Sequence, residues 1–253
     1  MVEIRNLSAG YGREDVLQNL SVSFPKGSIT AVLGPNGCGK STLLKSIIGL
    51  VPKVRGELLA DGVSLSTLDT RQIARKIAYL PQTGRTPDMT VGQLVLHGRF
   101  PYLNYPRRYR DADRQAAQAA METLGLQALA DTPLTQLSGG TLQKSRIAMA
   151  LAQDAPVILM DEPLSFLDIS HQLQLLELVR TLAQRGKTFV LVLHDLSLAL
   201  RFADRILLME QGRIFQTGTP EEILNSGALE QVFAVKVHTT QTPAGKQVFF
   251  TNH

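Results

Sequence analysis

The chain has 253 residues, of which 44% are hydrophobic and 19% charged, so we expect a packed globular core. Its net charge of +4 argues against a nucleic-acid-binding protein, and its single cysteine, Cys38, excludes an intrachain disulfide and fits a reducing compartment. The N-terminus lacks a signal-peptide core, and no apolar run approaches the roughly 18 residues that a membrane helix needs. We therefore expect a soluble chain that reaches a membrane only through a partner.

The first two predicted strands flank a loop that contains a tyrosine. Residues 2–7 and 16–24 alternate between apolar and polar side chains, which predicts strands of an antiparallel sheet. Tyr11 lies between Gly10 and Gly12 in the connection. Such a tyrosine either packs in an ordinary turn or stacks its ring on a base, since every base offers a π-face. The phosphate-binding motif that follows favours stacking on adenine.

Residues 34–42 match the phosphate-binding motif GxxxxGK[ST]. They lie between an apolar predicted strand, 28–33, and a predicted helix, 41–50, which is the context that the motif requires. The glycines let backbone N–H groups point inward, and the helix N-terminus adds positive potential. Lys40 is placed to reach the β- and γ-phosphates and Ser41 to ligate magnesium. The motif assigns nucleotide binding to Gly34, Pro35, Asn36, Gly37, Cys38, Gly39, Lys40, Ser41 and Thr42.

Cys38 has two alternative roles within this motif. It lies near the N-terminus of the predicted helix, where the pKa of a thiol can fall. A reactive thiol at this position would make ATP binding sensitive to alkylation. The alternative is a small side chain that fills a permissive position.

Gln82 follows the end of a short predicted strand. A strand over 57–60, a helix over 70–76 and a strand over 77–80 precede it. At the end of a buried strand, the amide side chain is able to orient a water molecule or to ligate magnesium. Exposed glutamines are common, so this position alone does not distinguish such roles from a solvated surface.

Residues 84–139 are predicted to form a helical subdomain inserted into an α/β core. Helical periodicity begins at Val91, with Thr90 as a candidate N-cap, and returns over 111–124. The intervening segment, 99–110, is rich in aromatic and basic side chains. Such a segment is compatible with RNA binding, but the mild net charge and the prolines favour a surface that docks another protein.

A second glycine-rich motif, Leu137-Ser138-Gly139-Gly140, immediately precedes a predicted helix. Two glycines before a helix offer free backbone N–H groups beside a serine hydroxyl, which makes a second anion site by the same physics as the first. The alternative is an ordinary loop in which Ser138 caps the helix.

Two acidic residues and a histidine follow apolar predicted strands. The strand over 157–160 is long enough to be a central parallel strand, and Asp161 and Glu162 then lie at its carboxyl end, which faces the ligand crevice. Asp161 is expected to hold magnesium, directly or through water, and Glu162 to polarise the attacking water. The strand over 188–193 ends in the same way at His194, a candidate contact to the γ-phosphate.

The remaining predicted elements carry no assigned chemistry. They are a long helix over 169–184, a hairpin formed by 205–209 and 213–216, a capping box at 219–222, and a tail from 235 with weak strand character.

Taken in order, these motifs resemble those of the ATP-binding subunits of ABC transporters over essentially the whole chain. The matching features are the aromatic loop at Tyr11, the Walker A motif at 34–42, the Q-loop at Gln82, the signature at 137–140, the Walker B motif at 157–161, the catalytic carboxylate Glu162, the D-loop at 165–168 and the H-loop at His194.

The signature departs from the family pattern, and other stretches suggest a subfamily. The family usually has Gln or Glu where this chain has Thr141. Either Gln143 replaces that side chain or the ATPase rate is modest. The stretches GPNGCGKSTLL, TVGQLVLHGRFPYL, IAMALAQ and SFLD resemble importers of iron–siderophore, haem and cobalamin.

The resemblance implies an α/β fold: a P-loop NTPase (RecA-like) core with an N-terminal antiparallel β subdomain and an inserted helical subdomain. The core is expected to comprise 1–83 and 140–234, the helical subdomain 84–139, and the C-terminal tail 235–253. The function implied is an ATPase that powers import of a metal chelate. The alternatives are a soluble ABC ATPase in a non-transport complex and the ATPase of an exporter.

The resemblance also implies ATP and Mg²⁺ as cofactors and a head-to-tail homodimer that holds ATP between Walker A of one subunit and the signature of the other. The residues implied are Glu162, His194, Gln82 and Lys40 in catalysis, Tyr11, residues 34–42 and the second subunit's Ser138, Gly139 and Gly140 in nucleotide binding, and Ser41, Gln82 and Asp161 at the metal.

The partners implied are transmembrane permease subunits and, indirectly, an extracytoplasmic substrate-binding protein, with no nucleic acid. Phe100, Tyr102 and Arg107 are candidate contacts to the permease. The location implied is peripheral, at the cytoplasmic face of the bacterial inner (plasma) membrane.

Overall fold

The computed structural model describes residues 1–12, 14–82, 86–242 and 245–252. The strands in this part of the chain are β1 (Val2–Gly10), β2 (Leu17–Phe24), β3 (Ile29–Leu33), β4 (Lys53–Ala60), β5 (Val63–Ser64), β6 (Ile77–Leu80), β7 (Val157–Asp161), β8 (Thr188–Val192), β9 (Arg205–Glu210), β10 (Arg213–Gly218), β11 (Val235–Thr242) and β12 (Gly245–Asn252). The helices are α1 (Lys40–Ile47), α2 (Thr70–Lys76), α3 (Val91–His97), α4 (Asp111–Thr123), α5 (Gly139–Ala152), α6 (Ile169–Gln184), α7 (Leu196–Phe202), α8 (Pro220–Asn225) and α9 (Ala228–Phe233).

A six-stranded sheet in the order β10-β9-β3-β8-β7-β6 forms the centre of the molecule. Its strands pair in parallel except at β10, which is antiparallel to β9. The two faces of β7 are buried in different cores: Ile158 and Met160 pack with α6 and α7, and Leu159 packs with α1. Burial on both faces explains the continuous apolar runs, and the carboxyl ends of β3, β6, β7 and β8 meet at one edge.

A second, antiparallel sheet in the order β2-β1-β4-β5 confirms the predicted N-terminal β subdomain. β1 is longer than the predicted 2–7, because a bulge at Asn6 (φ 50°) shifts its register and breaks the alternation. Gly56 lies opposite the bulge with φ 98°, where a Cβ atom would collide with the carbonyl oxygen of Asn6. The strand predicted over 57–60 therefore begins earlier, at Lys53.

The helices α3, α4 and α5 pack around a small core of their own. Thr90 and Gln93 form a capping box at the start of α3, as the sequence predicted for Thr90. Helix α5 contributes to two cores, since Ala148 packs in the helical subdomain and Ile147 packs against the central sheet. The predicted boundary between 83 and 84 lies outside the described residues.

The C-terminal segment forms an antiparallel hairpin of β11 and β12, which is more structure than its weak strand pattern indicated. Val237 and Phe250 pack against the main core, and the Ser197 hydroxyl of α7 donates to the carbonyl oxygen of Val248 at 3.4 Å. Among the described residues, no helix combines the length and the apolarity needed to cross a membrane.

Candidate active site

The loop between β3 and α1 has the conformation that a phosphate-binding loop requires. Gly34, Gly37 and Gly39 have φ values of 150°, 79° and 103°, which disfavour other residues. A Cβ atom at Gly34 would also collide with the carbonyl oxygen of Met209. Lys40 is buried, and its ammonium group donates to the carbonyl oxygens of Gly34 at 2.7 Å and Pro35 at 2.9 Å. These two hydrogen bonds hold the lysine across the loop.

A cavity of about 450 Å³ opens over this loop. It is lined by Val16, Asn36, Gly37, Gly39, Lys40, Ser41, Thr42, Gln82, Glu162 and His194. Four predicted motifs that are distant in the sequence thus meet in one space, because the strands that precede them end at the same edge of the sheet. The volume lies in the range of small-molecule sites in proteins.

Glu162 is held at the edge of this cavity by two other predicted catalytic residues. The Gln82 amide donates to Glu162 Oε2 at 2.6 Å, and His194 Nε2 lies 2.6 Å from Glu162 Oε1. The Glu162 backbone has φ 52°, in the left-handed region that is uncommon for a residue other than glycine. The carboxylate therefore has a fixed position beside the phosphate-binding loop, where a general base must lie.

Asp161 lies below Glu162, at the buried end of β7, and accepts two hydrogen bonds. Ser41 Oγ donates to its Oδ1 at 3.0 Å, and the Tyr79 hydroxyl donates to its Oδ2 at 3.4 Å. Burial raises the pKa of Asp161 above its usual value, and the nearby charge of Glu162 adds to the shift, while the Ser41 hydrogen bond opposes it. Burial and the negative charge of Asp161 raise the pKa of Tyr79 as well, so its hydroxyl stays protonated as a donor.

The oxygens of Ser41 and Asp161 fit a magnesium ion. Mg²⁺ prefers oxygen ligands and binds through one or two protein groups, with phosphates and water completing its shell. Within the described part of the chain, no group of three or more His, Cys, Asp or Glu side chains is placed to hold a metal alone. A metal site that a phosphate ligand completes agrees with the two oxygens of Ser41 and Asp161, and it does not require a larger group of protein ligands.

Besides the signature residues, four predicted nucleotide-binding residues lie outside the lining of the cavity, namely Tyr11, Gly34, Pro35 and Cys38. Tyr11 follows β1 and is 53% exposed. Cys38 is only 5% exposed, and burial raises the pKa of its thiol, with Lys40 opposing the shift. Of the two alternatives for Cys38, this direction favours the small buried side chain over the reactive thiol, because desolvation of the thiolate dominates the pKa.

The signature residues lie on a different surface from the cavity. Ser138 caps α5 by accepting from the Thr141 N–H at 3.2 Å, and Gly139 and Gly140 form the first turn. Both glycines lie against Phe166 of the D-loop. The cavity lining includes none of residues 138–140.

The prediction that Gln143 replaces the longer polar side chain usual at the position of Thr141 is wrong. It is 1% exposed, and its amide donates inward to the carbonyl oxygen of Pro163 at 3.1 Å. A side chain held in this way does not reach the surface of the signature.

Sequence reasoning missed two residues of the site, Val16 and Tyr79. Val16 lines the cavity next to the phosphate-binding loop. Tyr79 contacts Asp161 from the neighbouring strand, and its place in the apolar run of β6 is typical of a core aromatic residue. Spacing along the chain carries no signal for either contact.

Comparison with known proteins identifies the family. Residues 17–165 match the family model described as ABC transporter. The chain belongs to the ABC transporter family. As a member, it is an ATP-binding subunit with ATPase activity, and its fold is that of an ABC ATPase.

Three similar proteins extend the comparison of this ABC transporter subunit. The ferric enterobactin transport ATP-binding protein FepC of Escherichia coli is 40% identical over 94% of this chain and 88% of its own. A structure described as an inward-facing metal-chelate type ABC transporter has a TM-score of 0.82 at 31% identity, over 99% of this chain and 96% of that one. The ADP- and phosphate-bound dimer of MJ0796 has a TM-score of 0.77 at 29% identity, over 87% and 99%.

Proposed function

We propose that this ABC ATPase powers the import of a metal chelate of the iron–siderophore, haem or cobalamin type. The observation that supports ATP hydrolysis is the position of Glu162. Its carboxylate is held between Gln82 and His194 at the edge of the cavity over the phosphate-binding loop. The cargo class is supported by the similarity to FepC and to a metal-chelate type transporter over nearly the whole chain. These similarities favour an importer over an exporter or a non-transport complex.

In the proposed mechanism, the loop after β3 binds the phosphates of ATP. Lys40 exchanges its two carbonyl partners for phosphate oxygens, and the first N–H groups of α1, which have no side-chain cap, face the same charge. Ser41 and Asp161, with Gln82, would hold Mg²⁺, which would neutralise charge on the phosphates. Glu162 accepts a proton from the attacking water while the water oxygen bonds to the γ-phosphorus and the bond from that phosphorus to ADP breaks. His194 donates a hydrogen bond to the γ-phosphate.

A second copy of the chain is part of the proposed site. Because the signature lies away from the cavity of its own chain, we infer a head-to-tail homodimer in which Ser138, Gly139 and Gly140 of one subunit meet the ATP of the other. Tyr11 stacks on the adenine in this proposal. The similarity to the ADP-bound MJ0796 dimer supports this arrangement.

The proposed partners in transport are transmembrane permease subunits, with an extracytoplasmic substrate-binding protein acting indirectly. The chain is then peripheral to the cytoplasmic face of the bacterial inner membrane. The helical subdomain, connected to Gln82 by the segment that leads to α3, is the proposed docking surface. Phe100 and Tyr102 are half-buried there.

The decisive test of the catalytic assignment is Glu162→Gln, which keeps the size of the side chain and removes the base. We expect ATP hydrolysis to fall by about 10²–10⁴-fold, while binding of a fluorescent ATP analogue is retained. Glu177→Gln, on the exposed surface of α6, is the matched control and should keep the parent rate. A Glu162→Gln variant that hydrolyses ATP at the parent rate would remove this residue from its role.

The transport assignment needs a separate measurement. In a bacterial strain that lacks the gene for this chain, uptake of an iron–siderophore complex should be lost. Uptake should return when the parent chain is supplied but not when Glu162→Gln is supplied. Affinity purification from membranes in mild detergent should also recover a multi-span permease. Recovery of a soluble scaffold alone, with uptake unchanged, would contradict the importer proposal.

A further inference from the structure

The turn between β9 and β10 is a tight two-residue hairpin turn packed against another segment. Gln211 and Gly212 have φ values of 47° and 76°, so both backbones are left-handed. The turn between β4 and β5 has nearly the same form, with φ values of 54° at Asp61 and 78° at Gly62. Their surroundings differ. Among the described residues, a Cβ atom at Gly62 would point into open space, whereas one at Gly212 would collide with the carbonyl oxygen of Val16.

The β9–β10 turn is hydrogen-bonded to two segments of the nucleotide site. The Gly212 N–H donates to the carbonyl oxygen of Cys38, in the phosphate-binding loop, at 3.1 Å. The Gly212 carbonyl oxygen accepts from the Gln18 N–H of β2 at 2.9 Å. The Arg213 guanidinium adds two hydrogen bonds to the side-chain oxygen of Gln18, at 2.7 and 3.0 Å. One buried glycine therefore connects the phosphate-binding loop to the start of β2.

Val16 is close to both the turn and the phosphate-binding loop. Its carbonyl oxygen lies where a side chain at Gly212 would begin, and its side chain lines the cavity. A Cβ atom at Gly39, the residue before α1, would lie 3.6 Å from Val16 Cγ1. A displacement of the turn would therefore be passed to Val16 by direct contact and to the loop through Cys38.

We propose that Gly212 is a positioning residue for ATP binding. It holds the carbonyl oxygen of Cys38, and with it the curve of the phosphate-binding loop, and it leaves the space that Val16 needs at the cavity wall. Such a loop binds phosphate through several N–H groups aimed at one point, so a small shift of its backbone weakens these contacts together. The inference rests on the proposed binding of the ATP phosphates by the loop after β3.

The location of the turn predicts an effect on ATP binding rather than on turnover. In the central sheet, β9 lies on one side of β3, and the strands β8, β7 and β6 lie on the other. The catalytic residues Gln82, Glu162 and His194 follow these three strands. A change at Gly212 should therefore raise KM for ATP and leave kcat at saturating ATP close to the parent value. A purely structural role would lower stability and leave KM unchanged.

The test compares Gly212→Ala with Gly62→Ala, because both place a Cβ atom in a left-handed turn and only the first creates a collision. Hydrolysis rates over a range of ATP concentrations give KM and kcat, and titration with a fluorescent ATP analogue gives Kd. We expect Gly212→Ala to raise KM and Kd about tenfold, with kcat within about twofold of the parent. Gly62→Ala should match the parent in all three, and urea unfolding shows whether each variant is folded.

A second variant tests the proposal without the added atom, which matters if Gly212→Ala does not fold. Arg213→Ala removes the two hydrogen bonds to the Gln18 side chain. Its matched control is Arg5→Ala, an exposed arginine of β1 that is paired with carboxylates. We expect a severalfold rise in KM for Arg213→Ala and the parent KM for Arg5→Ala.

Three outcomes would overturn the positioning role. They are the parent KM in folded Gly212→Ala (or in Arg213→Ala, where Gly212→Ala is unfolded), an equal rise in Gly212→Ala and Gly62→Ala, and a loss of kcat with KM unchanged. Lys40→Ala separates this failure from failure of the proposed function. If Lys40→Ala loses binding of the analogue while Gly212→Ala keeps it, the positioning role fails and the phosphate site stands. If Lys40→Ala binds as the parent does, the phosphate site fails and the positioning role fails with it.

Discussion

At the scale of single residues, burial protects the thiol of Cys38 from modification, although it lies in the phosphate-binding loop. Burial raises its pKa, so little thiolate forms at neutral pH, and the thiol is also shielded sterically. We predict that iodoacetamide modifies Cys38 much more slowly in the native protein than in urea. Mass spectrometry of the modified fraction over time measures this difference. Equal rates in the two states would show that the loop opens freely.

A second prediction at the scale of single residues concerns Tyr79, whose hydroxyl donates a hydrogen bond to the Asp161 carboxylate. Tyr79→Phe keeps the half-buried ring and removes the donor to Oδ2. We predict that severalfold more Mg²⁺ is needed for half-maximal binding of an ATP analogue, since a carboxylate with fewer donors is positioned less precisely. Binding of the analogue without Mg²⁺ should not change. Fluorescence titration measures both.

The control for this prediction is Tyr109→Phe, in the loop before α4. It removes a hydroxyl from a partly buried tyrosine that has no contact with Asp161. The same change in Mg²⁺ dependence in both variants would contradict a specific role for Tyr79.

One physical difference separates the site residues that the sequence identified from those that it missed. Lys40 and Ser41 lie in a contiguous motif, and Glu162 and His194 directly follow apolar strands, so local spacing predicts where they lie. The contact of Tyr79 with Asp161 depends instead on which strands are neighbours in the sheet. That order, β7 beside β6, is a property of tertiary structure that one sequence does not reveal.

At the scale of elements, α4 depends on a buried ion pair at its first turn. Asp113 accepts from the backbone N–H of Arg110 at 3.0 Å and from Arg99 Nε at 3.1 Å, while Arg99 also donates to the carbonyl oxygen of Ala152. The pair thus connects the start of α4 to the end of α5. Burial alone would raise the pKa of Asp113, but these hydrogen bonds and charges lower it below the usual value.

We predict that Asp113→Asn destabilises the protein by roughly 2–4 kcal/mol, because it leaves the Arg99 charge buried without its partner. Asp111→Asn, an exposed neighbour in the same turn, should cost less than about 1 kcal/mol. Urea unfolding measures both changes. Similar losses in the two variants would indicate that the negative charge of the helix N-terminus matters rather than the pair.

The pH dependence of this element follows from the lowered pKa of Asp113. A carboxyl group of this kind contributes fully to stability above its unfolded-state pKa of about 3.9. The contribution is lost as the pH falls below that value and through the lower folded-state pKa. The difference in unfolding free energy between parent and Asp113→Asn should therefore shrink on acidification below about pH 4, as urea unfolding at several pH values would show.

The ends of several strands could not be predicted from the sequence. Strands with continuous apolar runs, such as β7 and β8, were predicted closely because both of their faces are buried. Strands β1 and β4 were predicted too short, since the bulge at Asn6 and the facing Gly56 interrupt the alternation in both. The hairpin of β11 and β12 was underestimated because the described side chains of these strands, residues 235–240 and 248–251, are half-buried or exposed and give only a weak apolar pattern.

At the scale of the whole molecule, the position of the signature is the most informative feature. Ser138 lies at the N-terminus of α5, whereas the cavity opens over the N-terminus of α1. The two helix ends for which the sequence predicts anion binding therefore lie at separate places on one chain. In the proposed head-to-tail dimer, each signature would meet the cavity of the partner subunit, and twofold symmetry would complete two equivalent sites.

This arrangement predicts how oligomeric state depends on nucleotide. Glu162→Gln should form a dimer when ATP is added, because the trapped nucleotide joins the two subunits. Adding Ser138→Arg should abolish that dimer, since the bulky cation occupies the proposed phosphate contact, while each chain still binds ATP in its own cavity. Ser66→Arg, on an exposed turn, is the matched control and should leave the dimer intact. Size-exclusion chromatography with light scattering measures the mass of each species, and an ATP-dependent dimer that persists in the Ser138→Arg variant would contradict the head-to-tail site.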